Sequence, residues 1–332
     1  MGDQSTPDQP TTLPLTPLGP GILAIPSEDR RLLAISTRTR AGVWDLRTGR
    51  ELFLSHRFNS ATFAPDDSLY VELPEIDKQP RAIHHIVFTP FAANPVPYKE
   101  DDNTRLSYGM LREWKPGPKN SAQLIVHNIA DNAVLWTRSF DAGKPAYTPN
   151  LVPGQTILGF ALKSDFARGR VKAVPTLATE AAAVKSRDQG VLLQLLDNAN
   201  GNILHEVIFE VPARPDGLDG VNIGGGAVYV TSTDNRTLVY SLDTGAQLRQ
   251  FFGRVIAIDP STHRVCAVNR RDEAIVYDEQ GREIANFRMG TAVRFATFDQ
   301  ANHLLVLTAD QRVRTMDLKT ASTQAVSASI LP

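Results

Sequence analysis

The chain has a single cysteine, Cys266, in 332 residues. That excludes an internal disulfide framework and any cysteine-rich metal centre. No apolar run approaches the roughly 18 residues that a helical membrane span needs, so none is expected. Charge of neither sign prevails: 35 basic residues face 36 acidic ones, a formal net charge of -1. That balance argues against a general nucleic-acid or polyanion binder. Helical periodicity is nearly missing as well, with one Ala-rich candidate from Thr176 to Arg187. Residues 1–20 lack the apolar core of a secretory signal. Rich in Pro and Thr, they read as a flexible, solvated lead-in, or as the remnant of a linker in a larger protein. With one free thiol and no signal, the cytoplasm is the default compartment.

What is present is β structure. Apolar residues recur with period two in short runs such as Leu32–Ile35, Leu124–Val126, Ala227–Val230, Ala274–Tyr277 and Leu304–Leu307, with turn residues between them. Two kinds of turn alternate. One joins runs through residues such as Pro26-Ser27-Glu28-Asp29, Pro65-Asp66-Asp67-Ser68 or Asp259-Pro260-Ser261-Thr262. The other follows an aromatic or apolar residue, as in Trp44-Asp45-Leu46-Arg47-Thr48-Gly49, Leu242-Asp243-Thr244-Gly245 and Tyr277-Asp278-Glu279-Gln280-Gly281. Asp bonds its own downstream backbone and Gly accepts positive φ, so both suit such sites. Pro26 to Asp45 is 19 residues and Pro260 to Asp278 is 18, while Pro26 to Pro65 and Pro260 to Asp299 are both 39. A four-stranded unit repeating at about 40 residues is the grammar of a propeller blade. The fold class expected is therefore all-β: a β-propeller of six to seven four-stranded antiparallel blades over residues 21–330.

The stretches Val43-Trp44-Asp45-Leu46-Arg47-Thr48-Gly49 and Phe63-Ala64-Pro65-Asp66-Asp67-Ser68-Leu69, with fainter copies at Tyr240–Gly245 and Val276-Tyr277-Asp278, resemble WD40 repeats. The resemblance implies a propeller whose partner contacts lie on the side of the blade-to-blade crossings. Only one Trp-Asp pair is present and the Gly-His dipeptide that opens strong repeats is missing.

The spacing breaks twice. Residues of about 74–121 and 163–190 are in excess between the second and third strands of the second and third units, and are expected as insertions in blades 2 and 3. In an antiparallel blade the second-to-third connections all leave on one side, so both insertions would project there, where loops on a rigid scaffold carry binding. In the first, Ala82–Thr89 and Leu106–Trp114 are expected to form a projecting hairpin. Its side chains His84, His85, Phe91, Tyr98, Tyr108 and Trp114 are the candidate partner contacts, with packing onto the ring as the competing reading.

No catalytic constellation emerges. His84 and His85 are adjacent in a strand and point to opposite faces, so they cannot share one ion. The other histidines are scattered, no G-x-S-x-G elbow occurs, and Cys266 lies in a strand. No metal and no cofactor are expected. The function expected is a non-catalytic interaction platform binding a protein or peptide. The alternative is a lactonase-like or quinoprotein-like propeller handling a small molecule at its channel.

Overall fold

The computed structural model describes residues 11–14 and 21–318, apart from 28, 30, 47, 65, 75–81, 97–103, 108–109, 119–120, 141–153, 187, 212–217, 260 and 299–301. It is a seven-bladed β-propeller: among the described residues seven antiparallel sheets succeed one another along the chain, with two short helices. The strand β1 (Thr11–Pro14) precedes blade 1, which holds β2 (Gly21–Pro26), β3 (Leu32–Thr37), β4 (Arg40–Asp45) and β5 (Glu51–His56). Blade 2 is β6 (Ser60–Phe63), β7 (Leu69–Leu73), β8 (Ala82–Phe88) and β9 (Phe91–Pro95). Blade 3 is β10 (Thr104–Ser107), β11 (Met110–Pro116), β12 (Ala122–Asn128) and β13 (Val134–Phe140).

Blade 4 shows β14 (Gln155–Ala161), the helices α1 (Asp165–Ala173) and α2 (Pro175–Ala183), then β15 (Gly190–Asp197) and β16 (Ile203–Glu210). Blade 5 is β17 (Leu218–Gly224), β18 (Ala227–Ser232), β19 (Arg236–Ser241) and β20 (Gln247–Phe252). Blade 6 is β21 (Arg254–Ile258), β22 (Val265–Val268), β23 (Glu273–Tyr277) and β24 (Glu283–Arg288). Blade 7 is β25 (Val293–Phe298), β26 (His303–Thr308) and β27 (Arg312–Asp317), and its outermost strand is β1, paired antiparallel with Thr11 opposite Thr315. The lead-in thus contributes a strand to the last blade, which the Pro/Thr composition did not announce. The tail from residue 319 lies outside the described residues.

The chain divides into two compact units, residues 1–56 with 256–332, and residues 57–255. The first holds blades 1 and 7 and, from Ile256, blade 6; the second holds blades 2 to 5.

Central strands lose the apolar–polar alternation because both of their faces are covered. All eight residues of β15 except Asp197 are buried. Val191, Leu193 and Leu195 pack with Val221, Val228 and Tyr240 of blade 5. Leu192 and Leu196 turn the other way, toward Trp114, Trp136 and Phe140 of blade 3. In the other unit, Leu33, Ile35 and Trp44 of blade 1 meet Leu307 and Val313 of blade 7. Each such side chain taken from water stabilises the fold by about 1.5–3 kcal/mol, so blade-to-blade stacking is the main source of stability.

Two expectations need correction. Residues 74–121 are not an insertion. They contain β8 and β9 of blade 2 and β10 and β11 of blade 3, so a whole blade's worth of strands was hidden there. The expected hairpin does not form: β8 pairs with β7 and β9, and β11 pairs with β10 and β12. The physical reason is turn chemistry. The β8–β9 turn is Thr89-Pro90, with none of the Asp/Gly signature of the other third-to-fourth turns. Residues 163–190 do lie between consecutive strands, but in blade 4, and they hold two helices where one was expected.

Candidate interaction surface

Four of the six candidate contacts, His84, His85, Phe91 and Trp114, fall on described residues. Tyr98 and Tyr108 lie outside the described residues. Trp114 on β11 is buried, its ring 5.9 Å from that of Phe140, in the core between blades 3 and 4. Phe91 starts β9 and is 58% exposed. His84 and His85 sit side by side on β8 and are half-buried.

His85 stacks on Tyr70 at 4.4 Å and its Nε2 lies 2.7 Å from Ser68 Oγ. Ser68 Oγ donates to Asp66 Oδ1 at 2.6 Å, which leaves His85 Nε2 to donate to Ser68. A nucleophilic serine needs the reverse, with histidine accepting its proton. The trio is therefore a brace for the β6–β7 turn. The Ser68 hydroxyl and then its amide hold the Asp66 carboxyl below the usual carboxylate range. Among the described residues no three His, Cys, Asp or Glu side chains come together to hold a metal ion. Cys266 is buried and free, its thiol pushed up by desolvation.

The most elaborate polar arrangement surrounds α1 and α2. Ser164 caps α1 by accepting from Ala167 N. Phe166 stacks on Phe160 at 4.1 Å and meets Phe140 edge-on, so the helix is pinned into the core between blades 3 and 4. Arg170 reaches from α1 to Glu206 on β16, donating from Nε at 3.0 Å and from Nη2 as well. Gln194, fully buried on β15, also donates to Glu206. α2 has no side-chain N-cap and buries only Leu177. Its Glu180 accepts the amide of Ile208 at 2.7 Å, and the Lys185 amide beyond it donates to Glu210. The helical connection thus lies against β16, whose outer side in the sheet has no further strand among the described residues. The sequence hinted at the helix but not at this docking, because its partners come from a strand 36 residues away.

Arg112 on β11 is largely buried, with Nε and Nη1 unpartnered, and desolvation holds its guanidinium down at about 10. The large exposed apolar side chains occupy outermost strands: Leu54 on β5, Phe91 on β9, Val134 and Leu135 on β13, and Ile203 and Leu204 on β16, with Leu248 and Phe252 on β20.

No protein-family model matches the chain, and no curated protein matches it in sequence. Solved structures match it in fold. Hsv2 of Kluyveromyces lactis superposes with a TM-score of 0.56 at 10% identity, over 88% of this chain and 90% of that one. A chain of the mitotic checkpoint complex superposes at 0.55 and 11% identity, over 96% of this chain and 98% of that one. At these identities the likeness is one of fold alone: a β-propeller.

Proposed function

We propose that this protein is a non-catalytic interaction platform that binds a protein or peptide partner, with the helical connection of blade 4 as a contact surface. The observation that carries the reading is the length and character of that connection. Where blade 5 turns from β18 to β19 over Thr233–Asn235, blade 4 interposes α1 and α2. Only Ala167 and Leu177 of the two helices are fully buried. Ordering such a segment costs conformational entropy at every residue, and long structured loops on a rigid scaffold are where recognition is placed. Arg168, Lys172, Thr176 and Thr179 are solvent-facing, Arg168 in an exposed ion pair with Asp165 of the same helix. A propeller of the same fold is a component of the mitotic checkpoint complex.

The test is affinity capture from native extract with the full chain and with Arg168→Glu/Lys172→Glu. Both side chains are exposed, so folding is expected to survive, as checked by the melting temperature. Loss of the captured partner with the variant supports the reading. A partner set that is unchanged, or no partner for the wild type, overturns it.

A further inference from the structure

The near-zero net charge conceals a separation of charge in the unit formed by residues 1–56 and 256–332. Strand order fixes which turns share a side of each blade: the second-to-third turns and the crossings between blades lie together, opposite the first-to-second and third-to-fourth turns. On the crossing side, the β3–β4 turn presents Arg38 and Arg40, the β22–β23 turn Arg270 and Arg271, and the β26–β27 turn Arg312. The crossing from blade 6 to blade 7 adds Arg288 and Arg294. All of these are exposed. The acidic residues among them are Asp272, Glu273 and Asp310. Glu273 is engaged by Arg288 at 3.3 Å, and Asp310 by Arg312 at 3.5 Å and Arg314 at 3.7 Å. Arg38, Arg40, Arg271 and Arg294 have no ion pair among the described residues.

The opposite side of the same unit carries Asp29, Asp45, Glu51, Asp278, Glu279 and Glu283. Arginines there are fewer, and Arg31 and Arg282 already pair with Asp45 and Asp278. A side of one sign, with four of its arginines outside any ion pair among the described residues, attracts an anionic partner.

The residue type narrows the partner. Lys319 is the only lysine in this unit; every cation on the crossing side is arginine. Arginine offers a planar fork that matches carboxylate or phosphate in a two-point contact, which lysine cannot. Bases of a nucleic acid would call for aromatic platforms, and no Phe, Tyr or Trp side chain of this unit is exposed among the described residues. A lipid surface would call for apolar side chains to insert, and Leu54 is the one large exposed apolar residue of this unit among those described. We infer that the crossing side of blades 6, 7 and 1 is a docking surface for an acidic protein segment, a run of Asp and Glu gripped by Arg38, Arg40, Arg271 and Arg294. The inference rests on the platform reading but not on the helices of blade 4.

The experiment is fluorescence anisotropy of a labelled twelve-residue Asp/Glu peptide with the full chain, at about 50 and 200 mM salt. Two charge-matched variants are compared: Arg38→Glu/Arg271→Glu on the crossing side, and Arg50→Glu/Arg282→Glu on the opposite side. Arg38→Gln/Arg271→Gln replaces the first if it melts early. Expected are saturable binding that weakens with salt, a loss of about tenfold or more for the crossing-side variant, and a change within about twofold for the control. Absent binding, equal loss in both variants, or tighter binding of a single-stranded oligonucleotide or of phosphatidylserine vesicles overturns the inference. If the peptide does not bind while blade 4 still captures its partner, the acidic-segment inference falls and the platform reading stands.

Discussion

The carboxylate of Glu180 on α2 accepts the backbone amide of Ile208 on β16 at 2.7 Å, so a side chain of the inserted helix satisfies a donor of a strand whose outer side no further strand flanks among the described residues. An exposed strand edge invites pairing with other chains, and the helix covers it. The contact also makes α2 dependent on blade 4, since the helix lacks a side-chain cap and is too short to persist alone.

Replacing Glu180 tests this latch. Burial raises the Glu180 pKa, against the Ile208 amide that lowers it. A carboxyl whose folded-state pKa is raised contributes stability below its unfolded value, near 4.5, and loses that contribution as pH rises through the folded value. Glu180→Gln keeps an acceptor without the charge and is expected to leave urea stability at neutral pH unchanged or slightly higher. Glu180→Ala strands the Ile208 amide and is expected to cost about 1–2 kcal/mol. Hydrogen exchange at Ile208 reads the same contact, and unaltered protection in Glu180→Ala would refute it.

Asp259 has the opposite sign. Burial acts to raise its pKa, but donors from Ser261, Thr262 and Arg264 overcome that and hold the carboxyl well below its ordinary value of 3.8. Its stabilisation is present above about 3.8 and is lost as pH falls toward the depressed folded value. Arg264, mostly buried, also donates to Asn302 of blade 7, so the cluster ties the β21–β22 turn to the next blade. Asp259→Asn leaves that guanidinium without its counter-charge. A cost of about 3 kcal/mol at pH 7 is expected, with a shallower decline of stability between pH 4 and pH 2, both read by chemical denaturation across pH.

Glycines of similar backbone differ in what surrounds them. Gly245 and Gly226 have φ of +66° and +70°. A Cβ on Gly245 would run into the carbonyl oxygen of Ile208 in blade 4, whereas a Cβ on Gly226 meets nothing within 4 Å. Gly226→Ala is expected to cost about 1 kcal/mol for the left-handed conformation alone. Gly245→Ala is expected to exceed it by roughly 1–2 kcal/mol, because backbone must move. Equal melting temperatures for the two variants would contradict the close approach.

The repeat was legible where turns follow one chemistry. Asp45 accepts the amides of Thr48 and Gly49 and Asp278 those of Gly281 and Arg282, which closes their turns, and their spacing alone places four strands per unit. Blade 2 was misread because Thr89-Pro90 makes the same turn without that chemistry, and its missing signal merged half of two blades into an apparent insertion. The helical connection was located by surplus length, since residues beyond a blade's need have to go somewhere. Its docking onto Glu206 and Ile208 was not legible, because those contacts join residues far apart in sequence. The arginine side was hidden for the same reason: Arg38 and Arg271 become neighbours in role only when strand order assigns their turns to one side.

The pairing of β1 with β27 yields the last prediction. Arg312 to Thr315 face Pro14 to Thr11 across an antiparallel ladder, so the N-terminal strand completes the sheet begun by β25, β26 and β27. Removing residues 1–14 leaves the outer edge of β27 with unpaired amides and carbonyls. Such an edge either frays or pairs with another chain. The truncated protein is expected to melt several degrees lower and to form dimers or larger species at concentrations where the full chain does not, as read by light scattering after size exclusion. A peptide spanning residues 8–16, added in excess, is expected to restore part of the lost stability by rebuilding the ladder in trans. If truncation changes neither melting nor association, the strand contributes nothing to blade 7, and closure must come from the other three strands alone.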